Sequence, residues 1–412
     1  MGLVSHVFDE HVLATLPGPL AIGHTRYSTT GSSKLANAHP LLIEGPDGIE
    51  FAIAHNGNVT NAEPLRKDLE ELGCRFYSST DTEVIGQLIV RTPGRSLPEK
   101  IQNAMRRLEG AYSLVILTTE AVYAVRDTLG FRPLCYGRLN GGWVTASESC
   151  ALDHIGATME GEVDAGEILK FSAQGMTRYP SIANGRRAAC IFEHIYFARP
   201  DSVLGGNLVY PRREAMGAEL AKEFPAPTAD LVTAVPDSAI PAGIGFAKQA
   251  GLPFSETLVK NRYVGRTFIQ PDQWMRDQAV HLKFNPLREI IEGKRLVVVD
   301  DSIVRGTTTP RVVELLRKAG AAEVHLRVCA PPIKYPCHFG VDMPNRWELI
   351  AAEKTIPEIQ GILGVDSLGY LSMPGLLRAV GNGQGGYCTA CFTGKYPVPT
   401  QLELSKLALE RS

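Results

Sequence analysis

The stretch from Leu296 to Thr309 constrains the fold of this chain more than any other part of the sequence. It reads L-V-V-V-D-D-S-I-V-R-G-T-T-T, in which four apolar residues predict a buried strand and two carboxylates follow at its carboxyl end. The next residues, P-R-V-V-E-L-L-R-K-A-G, have helical spacing, with Pro310 suited to the first turn and Gly320 to the stop. This pattern predicts half of a βαβ unit, in which ligands bind where the strands end.

The loop between this strand and helix has the residue types of a phosphate site. Hydroxyl donors stand at four positions: Ser302, Thr307, Thr308 and Thr309. Gly306 lets backbone N–H groups approach a ligand closely. Because the start of a helix adds a partial positive charge, the loop is predicted to bind a phosphate group.

The adjacent carboxylates Asp300 and Asp301 need a counter-charge, so they favour Mg²⁺, sugar hydroxyls or both. For D-D-S taken alone, a surface turn after a core strand is the alternative. The whole string D-D-S-I-V-R-G-T-T resembles the ribose-phosphate signature of the type I phosphoribosyltransferases, which bind phosphoribosyl pyrophosphate (PRPP). The resemblance implies a PRPP site that comprises Asp300, Asp301, Ser302, Arg305, Gly306, Thr307 and Thr308.

Residues 229–239 repeat the pattern of a strand followed by polar residues. They read A-D-L-V-T-A-V-P-D-S-A, and a helix that stops at Gly251 is predicted after them. A solvated turn is the alternative for V-P-D-S alone. The resemblance to phosphoribosyltransferases implies that this loop cradles the pyrophosphate and that Mg²⁺ is held by Ser238, Asp300 and Asp301.

Residues 260–271, K-N-R-Y-V-G-R-T-F-I-Q-P, carry three cations and one Gly without regular periodicity. Such a charge-rich loop is usually solvated, but its place between two phosphate-site strands favours a loop that folds over a polyanionic substrate and excludes water. The segment resembles the flexible loop of the amidophosphoribosyltransferases. That resemblance implies that three side chains face the pyrophosphate: Lys260, Arg262 and Arg266.

The first half of the chain, residues 20–178, is predicted to be mostly β with one clear helix. Strands are predicted at residues 20–29, 50–58, 111–117, 134–139 and 143–147. Asn140 and Gly141 signal a hairpin between the last two of these strands. The helix is predicted to run from Asn61, a capping candidate, to Leu72.

Three clusters in this half have residue types suited to catalysis: H-T-R-Y-S-T-T-G-S at 24–32, H-N-G-N at 55–58 and S-S-T-D-T-E at 78–83. Each alone has a structural explanation, as a surface pair, a turn or a helix cap. Together they resemble the glutaminase domain of the N-terminal-nucleophile amidotransferases. The resemblance implies that Arg26 holds the α-carboxylate of glutamine and Asp81 its ammonium group. It also implies an oxyanion hole formed by Asn56 and the Gly57 N–H.

The amino terminus departs from that family, whose nucleophile is a Cys with its own free α-amine as base. This chain opens with Met1 and Gly2, and its first cysteine, Cys74, follows the predicted helix. We therefore expect an incomplete glutaminase domain that lacks its first strand and does not hydrolyse glutamine by this mechanism. A start at an internal Met, which we favour, competes with a natural form without glutaminase activity.

The sequence C-T-A-C-F-T-G-K-Y-P at 388–397 carries a C-x-x-C pair. Such a pair suits half of a zinc site or a redox pair, and two more thiolates are needed to close a four-ligand site. By spacing, four such ligands fit Zn²⁺ or an iron–sulfur cluster equally well. The resemblance to bacterial amidophosphoribosyltransferases that contain a cluster implies a structural [4Fe–4S] cluster on Cys190, Cys337, Cys388 and Cys391. The other four cysteines are predicted to be core residues.

The composition suits a cytoplasmic enzyme with two domains. A chain of 412 residues is long enough for two cores, and residues 179–189, polar and without periodicity, predict the connection. We predict an incomplete glutamine amidotransferase domain at 1–180 and a phosphoribosyltransferase domain at 190–400. The formal charge of −2 offers no basic surplus for nucleic acid, and no apolar run predicts a membrane span or a signal peptide.

The resemblance covers residues 2–397 and identifies the chain as a member of the amidophosphoribosyltransferases. The implied fold class is α/β and α+β: an N-terminally truncated N-terminal-nucleophile (αββα) glutaminase domain, and a type I phosphoribosyltransferase domain with a parallel sheet. The implied reaction forms 5-phosphoribosylamine and pyrophosphate from PRPP and glutamine-derived ammonia, at the first step of purine biosynthesis. Without an N-terminal Cys, this chain is expected to use only ammonia.

The resemblance also implies partners: PRPP, glutamine or ammonia, purine nucleotides as feedback inhibitors, and further copies of the chain in a tetramer. Two other functions share the PRPP motifs. A base-salvage phosphoribosyltransferase would have no use for the three clusters of the first half, which speak against it. A non-catalytic PRPP-sensing protein would bind PRPP and Mg²⁺ without releasing pyrophosphate.

Overall fold

The computed structural model describes residues 4–26, 31–45, 48–261, 284–343, 345–381, 386–400 and 409. These residues form an amino-terminal half of antiparallel sheets and a carboxyl-terminal half that is built on a parallel sheet. The predicted class, mixed α/β with a parallel sheet, is confirmed. Arg262 and Arg266 of the predicted pyrophosphate loop, and residues 27–30 of the first cluster, lie outside the described residues.

The amino-terminal half contains two antiparallel sheets. The larger has the strand order β1-β2-β3-β4-β8-β9 and consists of Leu41–Gly45, Gly48–Val59, Gly110–Leu117, Ala121–Arg126, Ile168–Ser172 and Gly175–Tyr179. The smaller has the order β6-β5-β7, where β5 is Cys135–Leu139, β6 is Gly142–Ala146 and β7 is Thr158–Glu162. The strands predicted at 50–58 and 111–117 are confirmed as β2 and β3. The predicted hairpin is confirmed as well, with Asn140 in the left-handed region at φ 49°.

Helices are more numerous in this half than the sequence predicted. The helices described here are Val4–Val7, Glu10–Ala14, Ala62–Glu71, Asp81–Arg91, Leu97–Met105 and Ser149–His154. Only one of them was clear from the sequence, because the helix that starts at Asp81 is buried around most of its circumference and has no polar face for periodicity to reveal. The predicted strand at 20–29 was wrong for its described part, since residues 20–26 pair with no described strand.

The helix Ala62–Glu71 matches its predicted range, but Asn61 does not cap it with its side chain. That side chain instead donates to the carbonyl of Arg107 at 2.8 Å and accepts from the Glu109 N–H at 3.0 Å. Asn61 therefore holds the loop before β3 rather than the helix start.

The carboxyl-terminal half is organised by a parallel sheet of order β13-β16-β17-β18. Its strands are Leu231–Ala234, Arg295–Asp300, Glu323–Val328 and Ser367–Tyr370. Strands β13 and β16 are neighbours, with Leu231 opposite Leu296 and Ala234 opposite Val299. Their carboxyl ends therefore lie side by side at one edge of the sheet, where ligands of open α/β sheets bind.

Helices cover both faces of this sheet. They are Val209–Glu223, Ile240–Ala250, Arg288–Ile291, Thr309–Lys318, Ile350–Glu353, Ile356–Leu363 and Met373–Val380. Both helices predicted after the phosphate-site strands are confirmed, and Gly251 ends the first with φ 69°. Along β16, Val297 and Val299 pack into one apolar cluster and Leu296 and Val298 into another, so the strand is buried on both faces.

The remaining elements are short. They are β10 Ala189–Cys190, β11 Val203–Leu204, β12 Asn207–Leu208, β14 Leu258–Lys260, β15 Phe284–Pro286, β19 Tyr387–Cys388 and the helix Ala390–Thr393. A separate apolar core fills the amino-terminal half between the large sheet and its helices. Within the part of the chain that the structure describes, no helix is long and apolar enough to cross a membrane.

Candidate active site and cysteine cluster

Two serine side chains donate hydrogen bonds to one carboxylate at the carboxyl edge of the parallel sheet. Ser238, in the loop after β13, donates from Oγ to Oδ2 of Asp301 at 2.5 Å. Ser302 donates from Oγ to Oδ1 of the same carboxylate at 2.6 Å. Asp300 lies beside them and accepts from the Asp301 N–H at 2.9 Å. The structure thus brings together the three residues that were predicted to hold Mg²⁺, from loops 63 residues apart.

Asp301 is buried, with 8% of its surface exposed. Burial raises the pKa of its carboxyl group, while the two serine hydroxyls and the charge of Arg213 oppose that rise. Arg213 is itself buried, donating from Nε to the His194 carbonyl at 2.9 Å. Nothing in the sequence pointed to Arg213, because it approaches the site from the helix Val209–Glu223 and belongs to no motif.

The predicted phosphate loop runs from Ser302 to the start of the helix at Thr309. Gly306 adopts φ 69°, and a Cβ there would lie 2.6 Å from Cδ1 of Ile350. A non-glycine residue would therefore be both strained and crowded. Thr307 and Thr308 are exposed, so their hydroxyl groups are accessible to a ligand.

Two further loop cations occupy the rim of this edge. Arg305 is exposed and pairs with Glu348, with 2.8 Å between Nε and Oε2. Lys260, at the end of β14, pairs with Asp237, which precedes Ser238. Lys260 is therefore tied to the loop that was predicted to cradle the pyrophosphate.

In the amino-terminal half, Asn56 and Gly57 lie on β2 opposite Ser113 and Tyr112 of β3. Gly57 has φ 151°, and any Cβ there would overlap the carbonyl of Ala111. Glycine is thus required at this position by the close approach of two strands.

Asp81 is the first residue of the helix Asp81–Arg91 and is buried. Its Oδ2 accepts from the Val59 N–H at 3.0 Å and lies 3.5 Å from Nδ1 of His55. Burial alone would raise the pKa of Asp81, but His55 and these hydrogen bonds outweigh it, so the pKa lies below its ordinary value. Arg26 belongs to the same site: burial lowers its pKa and the charge of Asp81 opposes that effect.

Two histidines near this site had no assigned role in the sequence. The rings of His24 and His39 lie 4.8 Å apart between centroids. Burial, followed by the charges of nearby His and Arg side chains, lowers the pKa of His24 to about 4 and that of His39 to about 3. A cleft of about 1170 Å³ reaches His24 and Asn56 and is also lined by Ser113 and Trp143.

The four motif cysteines converge where the two halves meet. β10 pairs in parallel with β19, which places Cys190 opposite Cys388. The carbonyl of Cys391 accepts from two backbone N–H groups just before Cys337, and the Phe339 N–H lies 3.3 Å from the Cys337 sulfur. The other four cysteines, Cys74, Cys135, Cys150 and Cys329, are buried, as predicted.

The thiols of this cluster share one electrostatic environment. Burial raises the pKa of all four, and the charges of Cys190, Cys337 and Cys388 each raise that of Cys391 further. The pKa of Cys388 reaches about 12. Within the described residues, no group of three or more His, Cys, Asp or Glu side chains is arranged to hold a metal ion. Charge repulsion among these thiols adds to the effect of burial.

The cysteine segment also contacts the strand that carries Asn56 and Gly57. The Asn58 side chain donates to the His338 carbonyl at 2.9 Å. A Cβ added to Gly340 would lie 2.8 Å from Cα of Gly57. Residues next to Cys337 therefore pack directly on the backbone of the predicted oxyanion hole.

Comparison with known proteins places this arrangement in a family. Residues 24–154 match the family model of a glutamine amidotransferase domain, and residues 216–336 match that of a phosphoribosyl transferase domain. A relative from Archaeoglobus fulgidus, named amidophosphoribosyltransferase, is 51% identical over 409 residues, which cover 97% of this chain and 88% of the relative. The chain belongs to the amidophosphoribosyltransferase family. A relative of the same name from Synechococcus elongatus is 47% identical over 100% of this chain and 84% of its own.

Two solved structures share the fold. One, described as the allosteric regulatory enzyme of purine biosynthesis, is 44% identical with a TM-score of 0.91 and covers 98% of this chain and 87% of its own. A second, the PRPP amidotransferase from Bacillus subtilis complexed with ADP and GMP, is 43% identical with the same TM-score, over 99% and 90% of the two chains. The family assignment makes this protein an enzyme of the pentosyltransferase class.

Proposed function

We propose that the carboxyl edge of the parallel sheet binds PRPP and transfers its phosphoribosyl group to ammonia. The bond between C1 of the ribose and the pyrophosphate oxygen breaks, the nitrogen lone pair forms a C1–N bond, and one proton leaves the new amine. The products are 5-phosphoribosylamine and pyrophosphate. The observation that carries this proposal is the 2.5 Å hydrogen bond between Ser238 and Asp301, because it brings the polar ends of two strands to one point.

The residues at this edge fit Mg²⁺. Ser238, Asp300 and Asp301 offer hard oxygen ligands, and burial of Asp301 favours a neighbouring cation over an isolated negative charge. Mg²⁺ is commonly bound by only one or two carboxylates together with substrate phosphates, so a set this small is sufficient. When bound, Mg²⁺ would neutralise the charge of the departing pyrophosphate.

The chain's own groups would position the rest of PRPP. The loop of Ser302, Arg305, Gly306, Thr307 and Thr308, at the start of the helix Thr309–Lys318, would hold the 5-phosphate through hydroxyl and backbone N–H groups. Lys260, already paired with Asp237, would face the pyrophosphate together with Arg262 and Arg266. Catalysis in this half then rests on positioning and charge stabilisation, with no covalent intermediate.

The amino-terminal half would bind glutamine. We propose that Arg26 and Asp81 hold its carboxylate and ammonium groups, and that Asn56 and the Gly57 N–H stabilise the oxyanion. These residues converge around β2 and the start of the helix at Asp81, which supports a shared site. Within the given 412 residues, the cysteine nearest the amino terminus is Cys74, and it is buried in the apolar core.

The four cysteines that converge near Cys388 fit an iron–sulfur cluster of the [4Fe–4S] type. Their burial and mutual repulsion oppose four free thiolates, whereas iron needs thiolate ligands and would offset that charge. The cluster would supply a structural cross-link between residue 190, residue 337 and the carboxyl-terminal C-x-x-C segment.

We further propose domain limits of 1–180 and 190–400, a tetramer in the cytoplasm, and inhibition by purine nucleotides. The Bacillus subtilis relative, which was solved with ADP and GMP, supports the last of these. Native mass spectrometry and inhibition of pyrophosphate release by these nucleotides test the tetramer and the regulation.

The main experiment measures pyrophosphate release from PRPP and Mg²⁺ by the anaerobically purified 412-residue chain, with ammonium or glutamine as the nitrogen source. A chain of these 412 residues alone is expected to release pyrophosphate with ammonium but not with glutamine, because the first cysteine among them, Cys74, is buried in the apolar core. Tight binding of PRPP without any pyrophosphate release would contradict the transferase and favour a PRPP-sensing protein. Release with glutamine would contradict our account of the nucleophile.

A further inference from the structure

Arg132 is a buried cation whose hydrogen-bonding capacity is not met by the described residues. It lies between β4 and β5, and its side chain is 7% exposed. Its Nη1 is 3.0 Å from Oε1 of Glu193, and its guanidinium lies 5.0 Å from the ring centre of Phe197. Nevertheless, Nε and Nη1 have no aligned hydrogen-bond acceptor within the described residues, nor does Oε1 of Glu193 have a donor. Buried guanidinium N–H groups normally find acceptors. These two N–H groups therefore remain available as hydrogen-bond donors.

The neighbours of Arg132 are the residues around the cysteine cluster. The carbonyl of Phe131 accepts from the Cys190 N–H at 3.0 Å. The Phe131 ring stacks on that of Phe339, with 4.4 Å between centroids, and Phe339 follows Cys337 by two residues. Phe131 and Phe339 pack in one apolar cluster with Cys388, against which Cys337 also packs. Burial lowers the pKa of the Arg132 guanidinium, but the charge of Glu193 and, to a lesser extent, the charges of Cys190 and Cys337 raise it above its ordinary value.

We propose that Arg132 is a positioning residue for the cluster, whose guanidinium donates N–H groups to the sulfurs of Cys190 or Cys337 and offsets part of the cluster's negative charge. The inference rests on the cluster proposed above. Hydrogen bonds to cluster sulfurs and nearby positive charge stabilise the reduced form and so raise the reduction potential. Because Arg132 belongs to the amino-terminal half, it would also link that half to the cluster.

A simple ion pair between Arg132 and Glu193 is the alternative, and the two variants that remove its members distinguish the cases. If the pair were the whole role, Arg132→Gln and Glu193→Gln would each leave one uncompensated buried charge and destabilise the fold to a similar extent, without moving the reduction potential of the cluster. In the proposed role, the two substitutions shift the reduction potential of the cluster in opposite directions. Loss of the cation lowers the reduction potential, and loss of the nearby carboxylate raises it.

The experiment is a redox titration of the anaerobically purified full chain, followed by EPR of the reduced cluster. For Arg132→Gln, a reduced fraction about tenfold lower at a fixed potential is expected, equivalent to about 59 mV for one electron. Absorbance near 400 nm is expected to fade several-fold faster in air. Glu193→Gln is expected to shift the potential the other way. The iron and sulfide content per chain, measured in parallel, shows whether each variant is loaded.

An unchanged potential in a fully loaded Arg132→Gln variant overturns the role of Arg132 and leaves the cluster intact as a proposal. A wild-type chain that holds no iron or sulfide after reconstitution overturns both. If Arg132→Gln does not fold, Arg132→Lys provides the test. Lysine keeps the positive charge but lacks the planar set of N–H donors of the guanidinium group. A shift to lower potential in Arg132→Lys supports the proposed hydrogen bonds, and a potential equal to that of the wild type overturns them.

Discussion

The Asn58 side chain donates a 2.9 Å hydrogen bond to the carbonyl of His338 and so joins strand β2 to the residue after Cys337. One partner is two residues from the proposed oxyanion hole at Asn56, and the other neighbours a proposed cluster ligand. The contact is tight, because Gly340 approaches the backbone of Gly57 with no room for a side chain. The cysteine segment therefore forms part of the support of the glutamine site, although 280 residues separate the two.

Gly340→Ala should weaken this junction. Gly340 has φ 95°, and a Cβ would lie 2.8 Å from backbone atoms of Gly57, which cannot rotate away. Gly185→Ala is the matched control, since Gly185 has φ 83° with nothing within 4 Å of a Cβ. Both variants bear the left-handed backbone cost of about 1 kcal/mol, but only the first adds the overlap. The thermal midpoint of Gly340→Ala is expected to lie below that of Gly185→Ala, by about 2–4 °C per kcal/mol. Equal thermal midpoints in the two variants would show that the contact between Gly340 and Gly57 rearranges without a cost in stability.

Asp301→Asn should abolish most transfer at the PRPP site. The amide keeps the shape but removes the charge that Mg²⁺ requires, so ammonium-dependent pyrophosphate release is expected to fall by about 100-fold or more. Asp230→Asn is the control: Asp230 pairs with Arg295 at the opposite end of β16, at 2.7 Å. It should leave the rate nearly unchanged. An Asp301→Asn variant that retains the wild-type rate would falsify the assignment of this edge as the active site.

Cys388→Ser should prevent loading of the cluster. Cys388 faces Cys190 across the β10–β19 pair, and three remaining thiolates cannot complete a four-cysteine site. Iron and acid-labile sulfide are expected to fall to a small fraction of the wild-type content after anaerobic reconstitution. Cys135→Ser is the control, because Cys135 is a buried residue of β5 in a different apolar cluster. Equal iron loss in both variants would point to a general loss of fold instead.

The elements predicted most accurately from the sequence are those whose buried residues follow a regular pattern along the chain. Strand β16 reads as a continuous apolar run, since both its faces are covered, and its helix shows clear amphipathic spacing up to Lys318. The helix Asp81–Arg91 was missed because ten of its eleven residues are buried, which erases periodicity. The segment 20–26 has strand-like composition, but a strand also needs a partner, and composition does not reveal one.

The residues of the candidate sites also fall into two groups: those that the sequence indicates and those that it does not. Asp301, Ser238 and Gly57 could be proposed from the sequence alone, because they lie in contiguous motifs whose residue types suit one kind of ligand. Arg213 and Arg132 could not, since each reaches its site from a distant element through a buried side chain. Their roles depend on tertiary packing, for which a single sequence carries no local signal.

His39 should make the amino-terminal half sensitive to acid. Both its ring nitrogens are buried without a hydrogen-bond partner among the described residues. Burial and the charges of His24, His55 and Arg26 lower its pKa to about 3, against the opposing charge of Asp81. An unfolded histidine has a pKa of about 6.5, so between these values the unfolded chain binds a proton that the folded chain does not. Stability is therefore lost as the pH falls below about 6.5.

Replacing this side chain tests the sign of the effect. His39→Gln removes the titrating group, so its thermal midpoint should fall less between pH 7 and pH 4 than that of the wild type. His154→Gln, at an exposed helix end, should keep the wild-type slope. Differential scanning calorimetry of the three proteins across this range provides the comparison. Parallel slopes for His39→Gln and the wild type would mean that His39 is solvated or paired in the folded state, and the loss of stability in acid would then have to arise elsewhere.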